Sequence, residues 1–263
     1  QYSTLYQMFR ECVRDLDIYP EPSLFVSQDP ISNAYALGQE QPSIVLNSGL
    51  LDLMDETEIR SVIAHELGHI KCGHTTLTQM AIWAISTASL IGEMTLGLGN
   101  VIGSGLVFAF YEWKRKAELS ADRAALLVVD DINPVMRGMM KLAGGSSKYA
   151  NECSLEEFIR QSERYQELDR EELNQVYKFL LYNNLAQDVF LSHPFLVERI
   201  GHLRQWSTSE EYRQIRNGNY QRSAAEGAVD VEAKAPNNQV NDLKRQIEEL
   251  QQEIDRIKKS KSN

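Results

Sequence analysis

The sequence predicts a mainly α-helical (α+β) protein: a helical domain with a small antiparallel sheet ahead of its central helix, and a separate C-terminal coiled-coil helix. Three observations carry this expectation. Apolar residues recur at spacings of three and four along most of the chain. Runs of strand character are confined to residues 24–46. A final heptad-spaced stretch is set apart from the rest by a polar segment. With 263 residues, 43% of them hydrophobic, the chain can bury one sizeable core and still carry an appendage. The expected division is a domain over 1–206, a linker over 207–238 and a short coiled coil over 239–260.

Taken in order, Leu5, Met8, Phe9, Cys12, Val13 and Leu16 form the apolar stripe of an amphipathic first helix, closed by Pro20 and Pro22. Short strands are expected at 24–27, 34–37 and 44–46, separated by Asp29-Pro30, Gly38 and Pro42. Within them, Asn33-Ala34-Tyr35-Ala36 is the candidate edge for holding an extended peptide, and an edge strand with no ligand is the competing reading. Asp55 with Glu58 three residues later marks a capping box, and Ile59, Val62, Ile63, Leu67 and Ile70 continue at helical spacing to a natural end at Gly73.

That helix carries His65-Glu66-Leu67-Gly68-His69. Side chains four apart lie one above the other, so both imidazoles can face one cation with Glu66 beside them. Two neutral nitrogens and a carboxylate able to accept a proton from water are what a zinc hydrolase requires. The bland alternative is a core helix whose histidines only satisfy hydrogen bonds. A metzincin arrangement is excluded by counting, because Cys72 and Thr75 stand where its glycine and third histidine would be.

Residues 77–111 contain one charged side chain, Glu93. The apolar run is short and glycine-broken, so two helices covering the core are favoured over a monotopic lipid contact, and that over a span. A helix then continues to Val129 and contains Glu118 and Asp122, four apart and on one side. Glu118 can complete a two-histidine, one-carboxylate set, and Asp122 can accept the second ring N–H of a ligating histidine. Acids at this spacing also suit a plain solvated face. Ala117, Ala121, Ala124 and Ala125 nevertheless mark a packed side, while Lys114, Arg115, Lys116 and Arg123 mark the solvent side.

Further on, Ser154 with Glu157 repeats the capping pattern and Val176 to Leu181 reads as scaffold. His193 precedes Pro194 at the start of a helix carrying Leu196, Ile200 and Leu203. From these residues alone a structural histidine is the better reading; a donor to a tetrahedral oxyanion is the other. Residues 217–238 are polar and linker-like, and Val240, Leu243, Ile247, Leu250, Ile254 and Ile257 follow an a/d rhythm suited to self-association.

Composition narrows the functional classes. With 27 Lys plus Arg against 37 Asp plus Glu, the formal net charge is −10, which excludes general nucleic-acid affinity. Cys12, Cys72 and Cys153 are too few for a disulfide framework, so a reducing compartment, the cytoplasm, is expected, with membrane association through 77–111. A bacterial periplasm or envelope is the alternative.

Three separated motifs then agree. His65 to His69, Glu118 with Asp122, and Ser192-His193-Pro194 through Arg199-Ile200 resemble, in order and spacing, the gluzincin zinc metallopeptidases of the HtpX and Ste-type CAAX protease family. Asn33 to Ala36 and Asn47 to Leu51 resemble that family's strand and the approach to its metal helix. The resemblance implies a zincin-like domain and a zinc-dependent endopeptidase acting on unfolded or damaged proteins. It further implies one Zn²⁺ held by His65, His69 and Glu118, Glu66 as general base, Asp122 behind His65, and His193 near the oxyanion. Asn33 and Ala34 would hold substrate backbone, and Arg199 would balance charge near the site. Expected partners are a protein or peptide substrate, a lipid surface touching 77–111, and a second copy through 239–260. The rival classes are a non-catalytic binding module stabilised by a metal and a membrane-surface adaptor built on 77–111.

Overall fold

A computed structural model describes residues 2–38, 40–94, 98–167 and 196–220. The expectations for Val176 to Leu181, for His193 and Pro194, for the linker beyond 220 and for the coiled coil lie outside these residues. The architecture is mainly helical with one three-stranded sheet. In chain order it comprises α1 (Ser3–Asp15), β1 (Ser23–Ser27), β2 (Ala34–Leu37), β3 (Ser43–Asn47), α2 (Ser48–Leu53) and α3 (Glu56–Lys71). There follow α4 (His74–Met94), α5 (Leu98–Val129), α6 (Ile132–Leu142), α7 (Leu155–Glu167), α8 (Leu196–Ser207) and α9 (Glu210–Arg216).

The sheet is mixed, not antiparallel as expected. Its order is β1-β3-β2, with β2 antiparallel to β3 and β1 parallel to it. The physical reason lies in β3, where Ile44, Val45 and Leu46 are consecutive and all buried. A strand covered on both faces belongs in the middle, so β1 and β2 flank it and the chain must cross from one edge to the other. β2 is thereby left as an edge strand.

α3 is the central helix. Asp55 accepts from the Glu58 N–H and the Glu58 side chain accepts from the Asp55 N–H, completing the capping box. The Glu58 carboxylate is also held by Lys141 at 2.6 Å and Arg137 at 3.3 Å, tying α6 to the start of α3. Beyond this end the helix is buried nearly all round, with Val62, Ile63, Ala64 and Leu67 in the core, as befits a helix packed on several sides. Phe9, Cys12 and Val13 of α1 join the same core, and Ile200, Leu203 and Trp206 of α8 close its far side.

α3 and α5 meet through small residues. A Cβ on Gly68 would lie 2.8 Å from the Ala124 Cβ and 3.0 Å from the Ala121 Cα, so the glycine is what permits this approach. Gly68→Ala is therefore expected to destabilise the fold by roughly 1–3 kcal/mol, the usual cost of overpacking. Urea unfolding checks this, and an unchanged midpoint would mean that the two helices separate without penalty.

The apolar stretch 77–111 forms parts of α4 and α5, which pack on each other. Among the described residues no helix is long and apolar enough to cross a membrane. α4 presents Leu77, Ile82 and Trp83 to solvent. At the other end of the domain, residues 210–216 fall at the start of the expected linker but form a short helix, capped by Ser209, whose Tyr212 hydroxyl donates to Asp130 Oδ1 at 3.0 Å.

Candidate metal centre

Three helices build the site: α3 carries His65, Glu66 and His69, α5 carries Glu118 and Asp122, and α8 carries Arg199. The close contact at Gly68, about one turn after His65 and next to His69, sets two of them side by side. The Nε2 atoms of His65 and His69 are 3.2 Å apart. Glu118 Oε2 lies 3.4 Å from His65 Nε2, and Oε1 lies 3.5 Å from His69 Nε2. One donor atom from each of the three falls within 4.8 Å of the others. His69 is the most open of them, its side chain 12% accessible against 9% for His65 and 1% for Glu118.

Behind this triangle is an ionic support. His65 Nδ1 is 3.0 Å from Asp122 Oδ1. An ionised carboxylate can only accept, so Nδ1 carries a proton, and Nε2 is the nitrogen that faces His69 and Glu118. Arg199 grips the same carboxylate with its fork, donating from Nε to Asp122 Oδ2 at 2.8 Å and from an Nη to Oδ1, and it reaches Glu118 Oε2 at 2.9 Å. Burial would raise the Asp122 pKa, but the Arg199 charge and these hydrogen bonds hold it below its ordinary value. Burial likewise opposes protonation of His65, yet the Asp122 and Glu118 carboxylates outweigh it and push its pKa up to about 9.

Glu66 is 1% exposed and Arg199 4% exposed, so three buried carboxylates, with Glu118 and Asp122, face one buried guanidinium. Two imidazole nitrogens and one carboxylate oxygen, held rigid by packing, are a donor set that suits zinc. The residues present therefore fit such an ion.

The cleft in front of the site, about 250 Å³, is lined by Glu66, His69, Glu118 and residues 35–38 of β2 and the turn after it. Asn33 and Ala34 stand just before this wall. The Asn33 carbonyl accepts the Asn47 N–H at 3.0 Å, and Ala34 is buried against a small cavity behind His65 and Glu66. His74, Trp113 and Lys114 line the cleft as well. Lys114 and Arg115 are partly buried, contrary to the solvent side expected for them, since Lys114 borders the cleft and Arg115 pairs with Glu198 of α8. Burial draws the Lys114 pKa down, with Glu118 and Glu66 opposing.

The structure thus brings together His65, Glu66, His69, Glu118, Asp122 and Arg199, and sets Asn33 and Ala34 at the margin. His193 lies outside the described residues. His74, by contrast, was not singled out from sequence. It is buried, and its Nδ1 lies 3.0 Å from His69 Nδ1. Burial pushes its pKa down to about 4, with Glu118 opposing.

Comparison with known proteins adds to this picture. The sequence model of peptidase family M48 matches residues 1–207. Plastoglobule-localized metallopeptidase 48, chloroplastic, from Arabidopsis thaliana is 35% identical over 219 residues, which are 82% of this chain and 60% of that protein. A protease HtpX homolog from Dictyoglomus turgidum is 26% identical over 204 residues, 70% of this chain and 64% of that protein. Another from Helicobacter pylori is 26% identical over 224 residues, covering 76% of this chain and 66% of its own length. The chain accordingly spans less than two thirds of these relatives. No solved structure matches it.

Proposed function

The chain belongs to peptidase family M48, and from that premise we propose that it is a zinc-dependent endopeptidase with its centre at His65, His69 and Glu118. The observation that carries this is the convergence of one donor atom from each of the three within 4.8 Å, with Glu66 in the same wall of the cleft. Zinc held there would supply Lewis-acid chemistry, acidifying a water and polarising a peptide carbonyl.

The protein's own side chains account for the remaining work. Glu66, next to His65 and bordering the cleft, accepts the proton of the attacking water and returns it to the leaving amine, so one carboxylate serves both transfers. Asp122 keeps the His65 proton on Nδ1, and Arg199 keeps Asp122 ionised by its charge and its paired hydrogen bonds. β2, an edge strand whose residues 35–37 line the cleft, suits an extended substrate segment lying beside it, which favours unfolded or damaged protein over compact substrates. Asn33 and Ala34 belong to this proposal as the start of that wall, and His193 as an oxyanion donor carried by its motif. The exposed Ile82 and Trp83 on α4 support peripheral contact with a lipid surface.

The deciding experiment is a metal analysis of the wild type beside Glu118→Ala, together with chelator-sensitive cleavage of casein. We expect about one zinc per wild-type chain and, in the variant, lost zinc and lost cleavage, because two imidazoles alone hold the ion weakly. Wild-type protein that binds no zinc from a zinc-supplied preparation would overturn the proposal.

A further inference from the structure

His74 has no part in the chemistry above, yet it is buried against the group on which that chemistry depends. On one continuous helix, residues five apart point about 140° away from each other, so His69 and His74 could not meet. The chain solves this by ending α3 at Lys71 and beginning α4 at His74. Between them Gly73 takes a left-handed conformation, φ 68°, with nothing within 4 Å of the position a Cβ would occupy, so backbone freedom and not space is what the turn requires. The reversal carries His74 back over the last turn of α3.

Two contacts fix the ring there. Its Nδ1 stands 3.0 Å from His69 Nδ1, with the two rings edge to face at 68° and centroids 5.1 Å apart. Trp113 of α5 also meets it edge to face, at 83° and 5.7 Å between centroids. Meanwhile the opposite nitrogen of His69, Nε2, is the one that faces His65 and Glu118. A ligating nitrogen presents its lone pair, so the His69 proton must sit on Nδ1, and a buried N–H needs an acceptor.

We infer that His74 is the positioning residue of His69: its Nδ1 lone pair accepts the His69 Nδ1–H, fixing the tautomer and the ring angle with which Nε2 meets the metal. The inference rests on the metal centre proposed above. It gives the two histidine ligands separate supports, a carboxylate for His65 and a neutral imidazole for His69. The imidazole orients without adding charge to a pocket already holding Glu66, Glu118, Asp122 and Arg199.

The test measures zinc affinity by competition with a chromogenic chelator, and the protonation of the His69 ring by nitrogen-15 NMR of histidine-labelled protein. His74→Phe keeps a ring against Trp113 but removes the acceptor. It is expected to weaken zinc binding about 10–100-fold, the range found when such supporting partners are removed, and to move the His69 Nδ1 and Nε2 resonances. His74→Asn places an amide oxygen near the lost nitrogen and should bring both readings back towards wild type. His74→Leu makes the same comparison should the Phe ring not be accommodated. Equal zinc affinity and unchanged His69 resonances in His74→Phe or His74→Leu would overturn the inference while leaving the metal centre standing. Absence of zinc binding in the wild type would instead remove the metal centre itself.

Discussion

Glu66→Gln is expected to retain the fold and one zinc per chain while losing casein turnover by about 10²–10⁴-fold, the range attributable to a positioned general base. The substitution is nearly isosteric and Glu66 is 1% exposed, so the amide occupies the same walls as the carboxylate. What it cannot do is accept a proton from water or give one to an amine. The comparison needs three measurements on the same preparation: turnover, metal content by emission spectroscopy, and a thermal melt. Turnover within tenfold of wild type, with metal retained, would show that another group moves the proton. Loss of zinc would show that Glu66 belongs to the coordination set.

The second large effect is expected at Arg199, 4% exposed, hydrogen-bonded to Asp122 at 2.8 Å and ion-paired with Glu118 at 2.9 Å. Arg199→Met preserves much of the volume but leaves two buried carboxylates without their shared guanidinium. Breaking a buried ionic group in this way costs roughly 3–5 kcal/mol. The loss should appear in urea unfolding of the metal-free protein. Arg199→Lys is expected to recover little, since one ammonium cannot reproduce the fork that spans both Asp122 oxygens. The pH dependence follows from the direction of the Asp122 shift. Its folded pKa lies below the ordinary 3.8, so its contribution to stability is complete above that value and is lost as pH falls through the lowered one. Arg199→Met lacks this contribution, so the gap between the two proteins is widest near neutral pH and narrows in acid. A gap that stays constant across that range would rule out charge balance as the role of Arg199.

Local signals explain which parts of this fold were legible beforehand. The capping box at Asp55 and Glu58, the strands between residues 23 and 47, and the paired histidines each depend on spacings within one element, and each is found where the spacing placed it. Glu118 and Asp122 were legible as a pair for the same reason. Their approach to α3 was suggested by the alanines around them, and Gly68 completes that seam from the other side. Information carried between elements was harder to read. The run Ile44-Val45-Leu46 has the burial of a central strand, but strand direction depends on how residues 28–33 cross the sheet, which no pattern specifies. Lys114 and Arg115 looked like solvent charges because their partners, Glu118 apart, come from other segments, such as Glu198. His74 was hidden by its own spacing from His69, and only the turn at Gly73 makes the contact.

The tie between Arg199 and Asp122 spans 77 positions, and it has a consequence for how the protein is made. The residues proposed to bind metal are all translated by position 118, while their counter-cation emerges 81 residues later, roughly 4–16 s at ordinary elongation rates. Throughout that interval the nascent chain holds the ligands but not the guanidinium that steadies them. The buried carboxylates of the proposed metal centre thus gain their charge balance only when α8 docks.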